Sequence, residues 1–129
     1  MKRILLIIGA GSILSGILFF AFLKVRIGRD VKANIELAKG HYPGTAEDAL
    51  IAYLTDESNS PRNRSQIAIW TLGRIKSEKA LPVLQGLYRD DPLGETCYGK
   101  HDSVLCQYEL HKAMTSIEKF RIFSYPKLR

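Results

Sequence analysis

The first twenty-odd positions of the chain have no polar face. From Ile4 to Leu23 twenty consecutive residues are uncharged, closed off by Lys2-Arg3 before and Lys24 after. A helix of that length, at about 1.5 Å per residue, spans roughly 30 Å, the thickness of a bilayer's hydrocarbon core. Beyond Lys24 the pattern changes to one apolar stripe per helical turn, and no stretch alternates as a strand would. Val31, Ile35 and Ala38 share a stripe that ends at Gly40, and His41-Tyr42-Pro43-Gly44 then reads as a turn. Thr45 with Asp48 forms a capping box ahead of Ala49, Leu50, Tyr53 and Leu54. Ser60-Pro61 opens a helix through Ile67, Ala68, Trp70, Leu72 and Ile75. Ser77 caps another, with Ala80, Leu81, Leu84, Leu87 and Tyr88 inward, which Asp90-Asp91-Pro92 ends. After a long polar loop, Asp102 or Ser103 opens a last helix through Leu105, Leu110, Ala113, Met114, Ile117 and Phe120. Short links between one-faced helices imply antiparallel hairpins, because one helix alone cannot bury its stripe.

The hairpins repeat. Thr45 to Asp56 aligns 34 positions on with Lys79 to Asp90, keeping a small residue, a leucine, a large apolar residue and a closing aspartate in register. The stretch Ala68 to Ile75 matches Leu110 to Ile117 at a spacing of 42, the extra eight residues falling in the loop that holds Cys97. Constant helices with unequal loops are the mark of stacked helical repeats. The fold class expected is all-α: an N-terminal transmembrane helix followed by a short α-solenoid of antiparallel hairpins. Its divisions are an anchor at 1–23, a basic juxtamembrane segment at 24–32, the repeat domain at 33–121 and a basic tail at 122–129.

The apolar run has two readings. A cleaved secretory signal has a shorter core and small residues before the cut, whereas here Phe19 precedes Ala21 and Leu14 precedes Gly16 at the critical place. An uncleaved signal-anchor is the expected form, giving a single-pass membrane protein attached through residues 4–23. Orientation draws on opposed signals. Four bases after the run (Lys24, Arg26, Arg29 and Lys32) against two before it favour a cytoplasmic domain. The three-residue charged stub and an isolated cysteine pair, Cys97 and Cys106, favour export, and the expectation is a domain outside the cytoplasm, periplasmic or extracellular.

Charge then narrows the partners. The chain carries a formal +6, yet residues 33–118 hold nine Lys/Arg against twelve Asp/Glu. Basic ends around an acidic body do not form the continuous positive face that nucleic acid requires. They suit ends placed near anionic lipid, with Lys24, Arg26, Arg29 and Lys32 as the lipid-surface residues.

Chemistry is sparse. There is no Gly-rich phosphate loop, no His-Glu-x-x-His pair and no Gly-x-Ser-x-Gly turn, so neither an enzyme nor a small-molecule substrate or cofactor is expected. Cys97 and Cys106 close a loop of about ten residues, for which a disulfide would contribute on the order of 2–3 kcal/mol. Two reduced thiols are the alternative. With His101 and His111 the cysteines supply zinc-ligand types, but the spacing matches no short-range zinc module, and no metal is expected. Trp70 reads as packing, by its register with Leu72 and Ile75.

The central copy, Ile67-Ala68-Ile69-Trp70-Thr71-Leu72-Gly73-Arg74-Ile75 followed by Lys79-Ala80-Leu81-Pro82-Val83-Leu84-Gln85-Gly86-Leu87, resembles the HEAT-like repeats, especially the short bacterial type found in phycobilisome lyases. The resemblance spans about 30–121, some two and a half repeats, and is strongest over 61–91. It departs from the family pattern in placing Arg64 one position off the usual arginine and Thr115 where glycine is usual. What it implies is a protein-binding scaffold or adaptor. Register leaves Ile51, Thr55, Gln85 and Arg89 outward with Tyr88 at the edge, and these are the expected partner-binding residues, the partner being another protein. A second reading is an accessory subunit of a membrane complex, packed through its anchor; separately, the small pairs Gly11/Ser15 and Ser12/Gly16 would let two anchor helices approach closely.

Overall fold

The computed structural model describes residues 2–124, with the side chains of 11–122. Residues 125–129 of the basic tail lie outside the described residues. Every regular element among those described is helical. They are α1 (Lys2–His41), α2 (Ala46–Thr55), α3 (Pro61–Asn63), a π turn (Arg64–Ile69), α4 (Trp70–Ile75), a 3₁₀ turn (Glu78–Ala80), α5 (Leu81–Leu87), a second 3₁₀ turn (Glu95–Cys97) and α6 (Gln107–Ser124).

The chain divides into two compact units, 1–33 and 34–129. The described residues of the first all belong to α1. Its apolar side chains lie open, Ile13 at 67% and Phe20 at 62% exposure, and the helix Gly11–His41 is long and apolar enough to cross a membrane. Sequence periodicity places a break between the anchor and a helix starting near residue 30. Instead α1 is uninterrupted, since 24–32 contains no proline and its one glycine, Gly28, is an affordable residue within so long a helix.

The second unit is built around Leu50, Leu54, Ile69, Leu72, Leu84, Leu110 and Ile117, all fully buried, with Ala38, Ala49, Ala68 and Ala80 filling the close approaches. The caps act as the sequence implies. Thr45 accepts from the Asp48 N–H and the Asp48 carboxylate accepts from the Thr45 N–H, so two orphan donors at the start of α2 are satisfied together. Ser60 caps α3 ahead of Pro61, and Ser77 caps the 3₁₀ turn that leads into α5. Gly73 is required by space. A Cβ there would sit 2.9 Å from the Ala113 Cα, so its absence lets α4 and α6 meet backbone to backbone.

Three features depart from the pattern. Residues 61–75 run as one helical stretch with a π turn in the middle, where the Trp70 N–H bonds the Ser65 carbonyl five residues back. One extra residue per turn is what a π turn absorbs, and it accounts for Arg64 standing one place off. Its guanidinium Nε still reaches the Leu54 carbonyl at the end of α2, at 2.6 Å. Next, α5 stops at Leu87 and not at 90, because Tyr88 is extended and Asp90 has φ +56°. Finally, α6 starts at Gln107 and not at 102 or 103, and Phe120 is exposed, not inward. Asp102 is instead engaged with Arg62.

Polar groups inside the domain are paired. Asn34 donates to Thr71 Oγ1 at 3.0 Å. The Tyr42 hydroxyl donates to Asp56 at 2.6 Å and accepts from Asn59, which ties the turn after α1 to the turn after α2.

Candidate functional site

Two places in the repeat domain carry the residues singled out by sequence. The first is the outward side of α2 and α5. Thr55, Gln85 and Arg89 are exposed there. Ile51 and Tyr88 are half-buried and pack against the core, so the apolar anchor expected on this ridge is largely used by the fold itself. Two of the polar groups are also engaged locally. The Thr55 hydroxyl donates to the Ile51 carbonyl at 3.0 Å, and the Arg89 guanidinium donates to the Gly86 carbonyl at 3.1 Å. The Tyr88 ring lies 5.8 Å from the His111 ring, with its hydroxyl 3.4 Å from His111 Nδ1. What this ridge offers is a polar rim with Gln85 free at its middle and one aromatic edge. Trp70 is half-buried, with the Arg74 guanidinium stacked 5.2 Å from its ring centre.

The second place is the loop from Asp91 to Cys106. Asp91 organises its start, its carboxylate accepting from the Glu95 and Thr96 N–H groups at 3.0 and 2.9 Å and from the Thr96 hydroxyl at 2.6 Å. Those bonds, Thr96 foremost, hold the Asp91 carboxyl below the usual carboxylate range. Gly94 then turns with φ +70°, a conformation that favours glycine. A Cβ at Gly94 would meet Tyr108 at 2.8 Å and Cys97 Sγ at 3.1 Å. Gly99 makes a second left-handed turn, and the Lys100 N–H closes onto the Cys97 carbonyl at 3.0 Å. The loop is pinned to the π turn by the Cys106 N–H, which donates to the buried Ser65 hydroxyl at 3.2 Å, and to α3 by the Arg62–Asp102 pair. Gln107, buried at the start of α6, accepts from the Arg89 N–H at 2.7 Å.

This wrapping buries both cysteines and brings them together. The two sulfurs are close but not covalently joined in this structure. Cys97 and Cys106 are free thiols with their sulfurs 3.0 Å apart, well beyond the covalent separation of about 2.05 Å. The Cys97 thiol also lies 3.2 Å from the Gly94 carbonyl, so hydrogen bonds hold the pair. Burial, with the Cys97 thiol beside it, pushes the Cys106 thiol up to about 11. His101 joins the two sulfurs, and the three ligand atoms all lie within 4.8 Å of one another. Sequence spacing argues against that gathering. It counts residues along the chain and carries no information on the two left-handed glycine turns that fold the loop back on itself. His111, the fourth candidate ligand, faces Tyr88 instead.

Asp91, Ser65, Gln107 and the Arg62–Asp102 pair were not foreseen. Of these, Asp91 alone leaves a sequence trace, since Asp-Pro followed shortly by glycine marks an aspartate that bonds its own downstream backbone. The lipid-surface residues Lys24, Arg26, Arg29 and Lys32 are all exposed on α1.

Comparison with known proteins gives one match. The model of the HEAT repeats covers residues 31–96, about half of the chain and the span that contains α2 to α5. Searches of the curated proteins and of the solved structures return no match. With all-helical hairpins, a shared buried register and that match in place, the chain belongs to the HEAT repeat family.

Proposed function

We propose that this protein is a membrane-tethered, non-enzymatic scaffold or adaptor that holds another protein at a membrane surface. The observation that carries the reading is the joining of two unlike things in one chain. One is a HEAT repeat domain, of a family whose usual work is protein interaction; the other is a helix whose apolar side chains from Ile13 to Val25 find no cover in this fold. A bilayer supplies that cover. Lys24, Arg26, Arg29 and Lys32, within about two and a half turns past the run, then sit where anionic head groups favour them. The domain is assigned to the outer side on its isolated cysteine pair, Cys97 and Cys106, which suits an oxidising compartment, the opposing margin of two bases being small. Partner contact is assigned to the rim of Thr55, Gln85 and Arg89 with Tyr88, and Ile51 contributes at most an edge.

Removal of residues 1–23 tests the reading. The truncated domain, checked for helicity by circular dichroism, should lose membrane association and still capture whatever protein co-purifies with the full chain in detergent. Capture lost together with the helix would favour the alternative, an accessory subunit packed through its anchor.

A further inference from the structure

We infer that Cys97, His101 and Cys106 form a metal site for a thiophilic divalent cation, zinc in the first instance, with two thiolates and one imidazole as ligands and one position left for water. The inference stands apart from the scaffold reading and rests on the loop's geometry.

The distances are the first argument. Zinc holds sulfur at about 2.3 Å and imidazole nitrogen at about 2.0–2.1 Å, so neighbouring ligands of a tetrahedral site lie roughly 3.5–3.8 Å apart. Here the sulfurs stand 3.0 Å apart and the three ligand atoms fall within 4.8 Å of one another. The tetrahedral separation lies inside that range, so changes in separation of up to about 1.3 Å complete the geometry, within the freedom of side-chain torsions.

Ligand character is the second. Two soft sulfurs and a borderline imidazole select zinc-like cations over magnesium or calcium, which take oxygen. On binding, each thiol releases its proton to solvent as its metal–sulfur bond forms, and the imidazole binds through an unprotonated nitrogen. No electron is transferred.

The loop itself is built around the two sulfurs. A pair of cysteines used only as small apolar residues needs no histidine over it. In this loop both sulfurs are buried and His101, on the following turn, is exposed at its mouth, an arrangement with an entry path from solvent. Gly94 leaves no room for a side chain between Cys97 and Tyr108. Ser65 on the π turn fixes the Cys106 backbone from the opposite side. The sulfurs are therefore held from two elements, and the imidazole comes from the turn between them. A disulfide would use the same two sulfurs, so metal binding and oxidation exclude each other.

Full-length protein in detergent, reduced with a phosphine and stripped with a chelator, would be titrated with Co²⁺. The expected result is saturation at one Co²⁺ per chain, with a thiolate-to-cobalt charge-transfer band and the visible bands of a tetrahedral ion, all removed by one equivalent of Zn²⁺. His101→Ala should weaken Co²⁺ at least about tenfold, the lower end of what even an outer-shell partner contributes, and alter the visible bands. Cys97→Ser and Cys106→Ser should each diminish the charge-transfer band. Since the cysteines are buried and their variants can misfold, His101→Ala decides the matter, being an exposed position whose helicity by circular dichroism should be unchanged. No saturable charge-transfer band in the reduced protein, or the same affinity and visible bands in His101→Ala, would overturn the site.

Discussion

Leu50, Leu54, Leu72 and Leu84 are fully buried, whereas Leu14, Leu18 and Phe20, side chains of the same kind on an equally regular helix, each leave about 60% of their surface open. The contrast is one of pattern, not of composition. In α2 the buried positions Ala49, Leu50, Tyr53 and Leu54 occupy one face, while Glu47, Asp48 and Thr55 lie off it with the half-buried Ile51 and Ala52, so the helix has one side to bury and one that keeps contact with water. From Ile13 to Leu23 nearly every position is apolar and no polar side is spared. Periodicity in the first case specifies protein neighbours, and its absence in the second leaves a helix long and apolar enough to cross a membrane.

A pair of alanine substitutions gives the sharpest test of that contrast. Leu72→Ala empties a fully buried site and should cost 2–5 kcal/mol, within the range of about 2–5 for such changes, read as a lower urea midpoint. Leu18→Ala should stay within about 0.5 kcal/mol for the repeat domain. An equal cost at both positions would mean the apolar run is core, and the comparison would fail.

The converse experiment places charge in the run. Leu14→Arg should weaken insertion by about 2.5–3.5 kcal/mol, seen as a shift of full-length protein from floating vesicles to the aqueous fraction, with the thermal unfolding of the domain unchanged. Unaltered flotation would argue that the run does not cross the bilayer.

Within the domain, two glycines that sequence treats alike should respond with opposite sign. At Gly86 a Cβ meets nothing within 4 Å, so Gly86→Ala should gain some of the roughly 1 kcal/mol of helix propensity. At Gly73 the Ala113 backbone stands in the way, and overpacking of about 1–3 kcal/mol should outweigh that gain. Thermal unfolding of the two variants side by side settles the sign.

The glycines also mark how far sequence reaches. The helices, their caps and the repeat of 34 residues were legible because Thr45, Ser60 and Ser77 act within three residues of themselves and the leucine register reports burial directly. The Cys97–His101–Cys106 cluster was not, because its closure depends on left-handed turns at Gly94 and Gly99 and on Ser65, which is 41 positions from Cys106. The same limit applies to Ile51. Its register places it outward, yet the helices packed beside α2 reach far enough round to half-cover it. The ridge is thus poorer in apolar surface than its sequence implies, and Arg89→Glu should reduce partner capture more than Ile51→Asp does in variants that stay folded. The reverse order would return Ile51 to the centre of the interface.

The smallest effect expected is a response to acid. Lys79 from the next repeat, with the Thr45 hydroxyl, holds the Asp48 carboxyl well below its ordinary 3.8, at about 2. Ser58 and the Tyr42 hydroxyl do the same for Asp56, also to about 2. For a carboxyl lowered in the folded state, the stabilisation is complete above the unfolded value and disappears as pH falls through the folded one. The domain should therefore lose stability between about pH 4 and pH 2, not at higher pH. Both groups are partly exposed to solvent, so the loss is modest and should shrink further in high salt for the Asp48–Lys79 pair. Residues 11–23 contain no ionisable side chain, so the response belongs to the repeat domain and leaves the apolar run untouched. Urea midpoints at pH 5, 4, 3 and 2 would show it, and Asp48→Asn should flatten part of the slope while lowering the plateau above pH 4. A variant that keeps the full slope would show that Asp48 does not join the first repeat to the second, and that packing at Leu50 and Leu84 holds them together alone.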